Sequence, residues 1–285
     1  MIEIAASIAP LATTTRAWFV DIWGVMHNGV APFAGAVAAC ERFRAGGGSV
    51  ILVSNAPRPN ASVMAQLDRI GVARTAYDAI ISSGDISRGL ITALGGKPIY
   101  HVGPERDLAL YEGLDVNRTD AGAAAAIVCT GLFDDETETA ETYAGVLASC
   151  AGRAVPMICA NPDLSVERGG RIIPCAGAVA AKYEQCGGRV TYAGKPYLPI
   201  YTAAFAVADT LAGRPVAKHE ILAIGDGLRT DIAGAALAGI RSVYIASGVH
   251  LSEPLTPHAL AQLFPDSDGQ NASGRPLAAM AELAW

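Results

Sequence analysis

The chain alternates short, continuously apolar segments with longer segments that read as helices. The clearest apolar segments are residues 17–20, 49–53, 189–192, 221–224 and 242–245. Parallel strands that helices cover on both faces read in this way, because neither face of the sheet needs polar side chains. The pattern therefore predicts an α/β fold with a mostly parallel sheet.

Helices are predicted between these strands. One covers about residues 35–44 and is followed by three glycines. Another covers residues 60–70, with Asn60 as its N-cap and Gly71 just beyond its end. Two further helices are predicted, one over residues 135–148 and a short one near the end of the chain, after the polar stretch that follows Pro265. This order of strands and helices again fits an α/β protein.

The middle of the chain is predicted to fold as a second domain. It contains further apolar segments at residues 98–102, 123–129 and 154–159. A stretch of over a hundred residues is too long to be a loop of a compact domain. The predicted division is a core domain made of residues 1–83 and 192–285, with residues 84–191 inserted between its two parts.

Composition and charge narrow the possible functions. Of the 285 residues, 51% are hydrophobic and 17% are charged, which is typical of a globular protein. The formal net charge of -6 gives no support for a nucleic-acid or membrane-surface partner, and no apolar run is long enough to cross a membrane. The six cysteines show no CxxC spacing, so we expect reduced thiols and a cytoplasmic protein.

Polar residues follow four of the predicted strands. They are Asp21, Ser54 with Asn55, Lys195 within a Gly-Lys-Pro turn, and Asp226 with Asp231 five residues later. Each of these alone is more often a turn or a helix cap. Together, at the carboxyl edge of one parallel sheet, they predict a site for a divalent metal and a phosphate. The carboxylates would hold the metal, Ser54 and nearby N–H groups the phosphoryl oxygens, and Lys195 would neutralise charge.

This combination resembles the haloacid dehalogenase (HAD) superfamily, and is specifically similar to its class IIA, the NagD-type sugar- and nucleotide-phosphate phosphatases. The resemblance extends from about residue 16 to residue 250. It is carried by SNAPRP (54–59), ANPD (160–163), PCAGA (174–178), GKP (194–196) and GDGLRTDIAGA (225–235). It implies a doubly wound, Rossmann-like core with an inserted α/β class IIA cap, Mg²⁺ as cofactor and a small phosphorylated substrate. A homodimer formed through the cap is a further expectation from the family.

The resemblance also implies roles for individual residues. Asp21 would attack phosphorus and form an aspartyl-phosphate. Mg²⁺ would be held by the carboxylates of Asp21 and Asp226 and by the main-chain oxygen of Trp23, with Asp231 bound directly or through water. The phosphoryl group would be held by Ser54 and the Asn55 backbone, and Lys195 would stabilise the developing charge.

Four more residues are expected to contact the substrate: Gly24, His27, Asn161 and Asp163. The last two lie in a turn of the inserted domain, which would close over the site and select the leaving group. An equally simple interpretation is that this turn only ends a strand.

Trp23 departs from the family pattern. In the phosphatases of this family the same position holds a second aspartate, which protonates the leaving group and then activates water. An indole has no proton to give near neutral pH, and losing a positioned acid typically costs about 10²- to 10⁴-fold in rate. Three interpretations stay open: a phosphatase with impaired or relocated acid catalysis, HAD chemistry other than ester hydrolysis, or a phosphate- and metal-binding regulatory protein with little turnover.

Overall fold

The computed structural model describes residues 2–168, 171–246, 255–265 and 274–285. Residues 266–273, which make up most of the polar stretch after Pro265, lie outside these ranges. The strands are β1 (Glu3–Ile4), β2 (Ala17–Val20), β3 (Ser49–Ser54), β4 (Ala79–Ser82), β5 (Ile99–Val102), β6 (Ala126–Cys129), β7 (Met157–Cys159), β8 (Ser165–Arg168), β9 (Arg171–Pro174), β10 (Val190–Tyr192), β11 (Ile221–Gly225), β12 (Arg241–Ile245) and β13 (Ala278–Met280).

The α-helices are α1 (Ala9–Ala12), α2 (Ala34–Ala45), α3 (Asn60–Ile70), α4 (Ser83–Thr92), α5 (Ala144–Gly152), α6 (Ala176–Gln185), α7 (Leu198–Ala212), α8 (Ala233–Ala238) and α9 (Pro257–Leu263). One turn of π-helix, Leu228–Ile232, leads directly into α8. None of the helices in the described part of the chain is long and apolar enough to cross a membrane.

The chain forms two compact units. The first consists of Met1–Ser54, Met64–Ile81 and Lys195–Trp285, and the second of Asn55–Val63 and Ser82–Gly194. The first unit contains a seven-stranded sheet in the order β1-β13-β12-β11-β2-β3-β4. The pairs β1–β13, β13–β12, β12–β11, β11–β2 and β2–β3 are parallel.

Helices cover both faces of the seven-stranded sheet. In β2 the indole of Trp18 stacks on Phe43 of α2, with ring centroids 3.9 Å apart, whereas the next residue, Phe19, contacts Phe205 of α7. Successive side chains of a strand point to opposite faces, so α2 and α7 lie on opposite sides of the sheet. The predicted doubly wound α/β core is therefore confirmed.

The second unit has its own parallel sheet. Its strand order is β10-β7-β6-β5, and the antiparallel pair β8–β9 adds a separate ribbon. One face packs on α5 and α6 around fully buried side chains that include Leu147, Met157 and Tyr183. This is an α/β unit inserted into the first one, as the sequence predicts.

One prediction about the sheet is wrong. Strand β10, which precedes Lys195, belongs to the four-stranded sheet of the second unit, where it pairs with β7. Lys195 therefore does not follow a strand of the sheet that ends at Asp21. The apolar run of β10 indicates a strand, but a run of three residues contains nothing that selects its neighbour.

Two predicted helices are also wrong in whole or in part. The last segment of the chain forms β13, not a helix, and pairs in parallel with both β1 and β12. Residues 135–148 become α-helical only from Ala144. Before that, the Asp134 carboxylate accepts hydrogen bonds from Glu136 N and Thr137 Oγ1. These local bonds hold a turn in place of a helix.

Candidate active site

Asp21 directly follows the fully buried strand β2. The strand lies between β11 and β3, so the aspartate is placed at the middle of the carboxyl edge of the sheet. Its main-chain N–H donates to the Ile224 carbonyl at 2.8 Å, which continues the pairing with β11. The side chain is only 11% exposed. The strand thus carries a carboxylate to a position that is largely shielded from water.

Lys195 is the cation of this edge. Its side chain is buried, and Nζ donates to Asp21 Oδ1 at 2.5 Å, to Asp231 Oδ1 at 2.7 Å and to the carbonyl of Val53 at 2.9 Å. The three bonds use all three protons of the ammonium group. Lys195 therefore links the ends of β2 and β3 to the segment after β11. The strand that precedes it in the chain, β10, belongs to the other sheet.

Asp226 and Asp231 complete the charged cluster. Asp226 follows β11, and Asp231 lies in the π-helical turn, where its Oδ2 accepts from Gly227 N at 3.1 Å. Two glycines make room for it. A Cβ at Gly225 would lie 2.2 Å from Asp231 Cγ, and a Cβ at Gly227 would meet the hydroxyl of Thr230. The Gly-Asp-Gly sequence is therefore a packing requirement of the Asp231 carboxylate.

Burial and charge shift the pKa values of this cluster. Burial raises the pKa of Asp21 to about 6, although Lys195 acts in the opposite direction. Burial, together with the charge of Asp21, raises the pKa of Asp231 to about 6 as well. Burial lowers the pKa of Lys195, but Asp21 and Asp231 outweigh it and raise that pKa well above its usual value. The lysine is therefore charged, whereas the two carboxyl groups lose their protons at a higher pH than an ordinary aspartate does.

The donor set fits a divalent cation. Asp21, Asp226 and Asp231 each offer an oxygen, and these oxygens lie within 4.8 Å of one another. Among the described residues this is the one cluster of three side chains that could hold a metal. Three carboxylates against one ammonium leave an excess of buried negative charge, which is unfavourable unless a cation balances it. All donors are oxygens, as Mg²⁺ and Ca²⁺ prefer.

Trp23 lies in a tight turn directly after Asp21 and is half-buried. Its indole packs on Gly29, where a Cβ would come within 2.5 Å of the ring, and meets the edge of the His27 ring with centroids 5.4 Å apart. Gly24 has a positive φ of 82° and donates its N–H to the His27 carbonyl at 2.9 Å. The conformation of the turn is enough to require glycine at position 24.

His27 has a structural role in the same loop. Its Nδ1 accepts a hydrogen bond from Gly29 N at 2.9 Å, and the side chain is 2% exposed. Burial lowers the pKa of His27 to about 4. Protonation of Nδ1 would break the bond to Gly29, so the geometry opposes a role for His27 as a replacement acid.

The remaining predicted residues divide between the two units. Ser54, the last residue of β3, belongs to the first unit together with Asp21, Lys195, Asp226 and Asp231. The second unit contains Asn55, Asn161 and Asp163, and there Asn55 Nδ2 donates to Asp163 Oδ1 at 2.9 Å.

Sequence reasoning missed two supports of the cluster. The Val53 carbonyl is one of the three acceptors of Lys195. Tyr201 of α7 is buried, and its hydroxyl donates to the Asp231 carbonyl at 3.4 Å. Main-chain acceptors leave no mark in a sequence, and a tyrosine within an apolar helix reads as an ordinary core residue.

Two models of one protein family match the chain. Residues 18–117 match the family model "Haloacid dehalogenase-like hydrolase", and residues 192–267 match the model "HAD-hyrolase-like". A crystal structure of a haloacid dehalogenase-like hydrolase from Brucella suis 1330 is 46% identical, with a TM-score of 0.87 over 99% of this chain and 100% of that one.

Two further proteins are similar to the chain. A D-glycerol 3-phosphate phosphatase from Mycobacterium tuberculosis is 29% identical over 236 residues, which cover 81% of this chain and 63% of that protein. The chain thus spans less than two thirds of the curated relative. NagD from Escherichia coli K-12 shares the fold, with a TM-score of 0.68 and 21% identity over 95% of this chain and 97% of NagD. With the carboxylate–lysine cluster at the end of β2, these matches show that the chain belongs to the haloacid dehalogenase-like hydrolases.

Proposed function

We propose that the protein is a phosphatase that hydrolyses a small phosphorylated metabolite through an aspartyl-phosphate on Asp21. The observation that carries the proposal is the buried cluster in which Lys195 Nζ bonds Asp21 at 2.5 Å and Asp231 at 2.7 Å. The similarity to a D-glycerol 3-phosphate phosphatase supports the choice of a phosphate ester over other substrates.

The proposed reaction has two steps. A carboxylate oxygen of Asp21 attacks phosphorus in line, and the bond from phosphorus to the leaving oxygen breaks as the new bond forms. Water then attacks the phosphorus of the aspartyl-phosphate, which releases inorganic phosphate and restores Asp21. Ser54 Oγ and the N–H of the adjoining residue, Asn55, hold the phosphoryl oxygens, and Lys195 stabilises the charge that develops on them.

We propose Mg²⁺ as the cofactor. The carboxylates of Asp21, Asp226 and Asp231 and the main-chain oxygen of Trp23 would hold it. When bound, it would neutralise phosphoryl charge as a Lewis acid. Cation binding would also favour the ionised form of Asp21, whose pKa of about 6 would otherwise leave it partly protonated in mildly acidic solution.

Trp23 restricts the proposed chemistry to esters with good leaving groups, or to slow turnover of the others. The indole cannot protonate an alkoxide, and the hydrogen bond from Gly29 N occupies His27 Nδ1. Neither side chain can therefore supply the proton that an alkoxide leaving group needs, whereas a nitrophenolate leaves without one.

The experiment is a phosphate-release assay with Mg²⁺ on p-nitrophenyl phosphate and D-glycerol 3-phosphate. The wild type and the variants Asp21→Asn and Asp78→Asn are compared. Asp78 is the matched control, because its carboxylate bonds Arg44 and Val50 N and is not part of the cluster. We expect turnover of the aryl ester by the wild type and by Asp78→Asn, and none by Asp21→Asn.

A wild type that binds orthophosphate and Mg²⁺ but hydrolyses neither ester would refute the phosphatase proposal and favour a binding or regulatory protein. Equal turnover by Asp21→Asn would refute the nucleophile.

A further inference from the structure

The side chain of Asn55 is held from two sides within the second unit. Asn55 as a whole is 6% exposed, and its Nδ2 donates to Asp163 Oδ1 at 2.9 Å, although the two residues are 108 positions apart in the chain. On the other side, its Oδ1 lies 2.3 Å from where a Cβ of Gly194 would be. Only a glycine at position 194 leaves room for the carboxamide.

The turn that carries Asp163 is itself fixed. Asp163 N donates to Asn161 Oδ1 at 3.0 Å, and the Asp163 carbonyl accepts from Gly177 N at 3.1 Å. A Cβ at Gly177 would lie 2.3 Å from the Pro162 carbonyl oxygen, so the start of α6 fits closely against this turn. The main chain that carries the Asp163 carboxylate is therefore held by hydrogen bonds and by close packing against α6.

Asn55 adjoins one functional segment along the chain and packs against the residue that precedes the other. The preceding residue is Ser54, and Gly194, which packs on its carboxamide, precedes Lys195. The position of the Asn55 side chain therefore affects the Asn55 N–H and Ser54 through covalent bonds, and Lys195 through its packing against Gly194. A charge-assisted hydrogen bond to Asp163 is well suited to fix that position.

We infer that Asp163 is a positioning residue, which acts through the Asn55 carboxamide to hold the phosphoryl-binding segment and does not contact the leaving group. The inference rests on the proposed function, since that function assigns Ser54 and the Asn55 N–H to the phosphoryl group. It replaces the expectation that Asp163 selects the substrate.

The two roles predict different signatures. A residue that selects the leaving group changes kcat/KM by factors that differ between esters. A residue that positions the phosphoryl-binding segment changes all esters by the same factor, and weakens binding of inorganic phosphate as well, because phosphate has no leaving group.

The experiment is a double-mutant cycle with Asp163→Ala, Asn55→Ala and the double variant. Binding of orthophosphate in the presence of Mg²⁺ is measured by calorimetry, and kcat/KM on p-nitrophenyl phosphate and D-glycerol 3-phosphate. We expect each single variant to lose about tenfold in phosphate affinity, which corresponds to one lost charge-assisted hydrogen bond. The double variant should lose no more than either single one.

Two further variants separate positioning from folding. Asp163→Asn keeps an acceptor oxygen at the same place and should stay within about threefold of the wild type. Tyr183→Phe removes the buried hydrogen bond from Tyr183 to the Val155 carbonyl in the same unit. It should lower the melting temperature without changing phosphate affinity.

Losses that differ between the two esters, or that multiply in the double variant, would overturn the inference. So would a loss of phosphate affinity in Tyr183→Phe equal to that in Asp163→Ala. If the wild type hydrolyses no ester, the proposed function fails, but the orthophosphate cycle still decides whether Asp163 acts through Asn55.

Discussion

The carboxyl edges of the two parallel sheets differ in how many charged side chains they carry. At the edge of the seven-stranded sheet, Asp21 and Asp226 follow strands β2 and β11 directly, and Lys195 bonds Asp21. At the edge of the four-stranded sheet, Thr130 follows β6 and Asn161 comes two residues after β7. The first edge is dominated by charge, whereas the second consists mainly of neutral groups bonded to one another.

At the edge of the four-stranded sheet, polar side chains form hydrogen bonds with one another. His101 Nε2 lies 3.1 Å from Thr130 Oγ1, and Thr130 also bonds the buried carboxyl of Asp107. Burial raises the pKa of Asp107, while Arg58 and Arg106 oppose that shift. The comparison teaches that a parallel-sheet edge offers only a location. In the described part of the chain, the first edge gathers three buried carboxyl groups around Lys195, whereas the buried carboxyl at the second edge, Asp107, is opposed by two arginines. The excess of negative charge at the first edge favours a bound cation.

The largest expected effect comes from removing the Lys195 ammonium group at the first edge. Lys195→Met should lower kcat by at least about 10³-fold on any ester, since it deletes a preorganised charge at the phosphoryl group. It should also lower the free energy of unfolding at pH 7, by about 3–5 kcal/mol, because Asp21 and Asp231 lose their buried partner. Phosphate release and chemical denaturation measure the two effects.

The matched change at the second edge is Asp107→Asn. It should lower the melting temperature but leave kcat within about threefold of the wild type, because an amide can still pair with Thr130. If both variants lowered kcat equally, the contrast between the two edges would be wrong.

The next effect concerns Trp23. Trp23→Asp should raise kcat on D-glycerol 3-phosphate by about 10²-fold, the contribution of a positioned acid, and change p-nitrophenyl phosphate much less. Trp23→Ala is the control, since it also loses the contact with Gly29 but gains no acid. A gain in Trp23→Ala as large as that in Trp23→Asp would show that the indole blocks the substrate and that proton transfer is not the limit.

The same contrast explains what the sequence could predict. Strands β2, β3, β11 and β12 are buried on both faces, so their apolar runs identify them, and the acids that follow β2 and β11 indicate the candidate site. The sequence could not predict that β10 joins the other sheet, because pairing depends on contacts between distant residues. For the same reason it contains no sign of the Asn55–Asp163 bond.

At the end of the chain, the sequence predicts the wrong kind of element. Residues 276–285 are rich in alanine and leucine, and local propensity favours a helix. Yet Ala278–Met280 is buried between β1 and β12, and the backbone hydrogen bonds of those two strands override the propensity. Short strands of this kind, β1 included, have too few residues to show a period.

The pH dependence tests the excess of negative charge. The pKa values of Asp21 and Asp231 are raised from 3.8 to about 6, so the metal-free folded protein binds more protons than the unfolded chain between these values. Its free energy of unfolding should therefore fall as the pH rises through this window.

Mg²⁺ competes with the protons, so its affinity should weaken below pH 6 by up to about tenfold per pH unit for each carboxyl group. Calorimetry between pH 5 and pH 8 measures this, and a pH-independent affinity would contradict it.

The smallest effects concern two glycines, one in each unit. Gly225 packs against a carboxylate, whereas the space beside Gly89 is open in the described part of the chain. Gly225→Ala should weaken Mg²⁺ binding by about 10- to 100-fold, because its Cβ would lie 2.2 Å from Asp231 Cγ and push that carboxylate out of place. In the second unit, Gly89 lies in α4, and a Cβ at this position would meet no atom within 4 Å apart from its chain neighbours and the nearby backbone of its own helix. Gly89→Ala should therefore raise the free energy of unfolding by about 0.5–1 kcal/mol and leave Mg²⁺ binding unchanged. If Gly225→Ala kept wild-type affinity, Asp231 would not be a ligand whose position matters, and the metal would have to rest on the two acids that end β2 and β11.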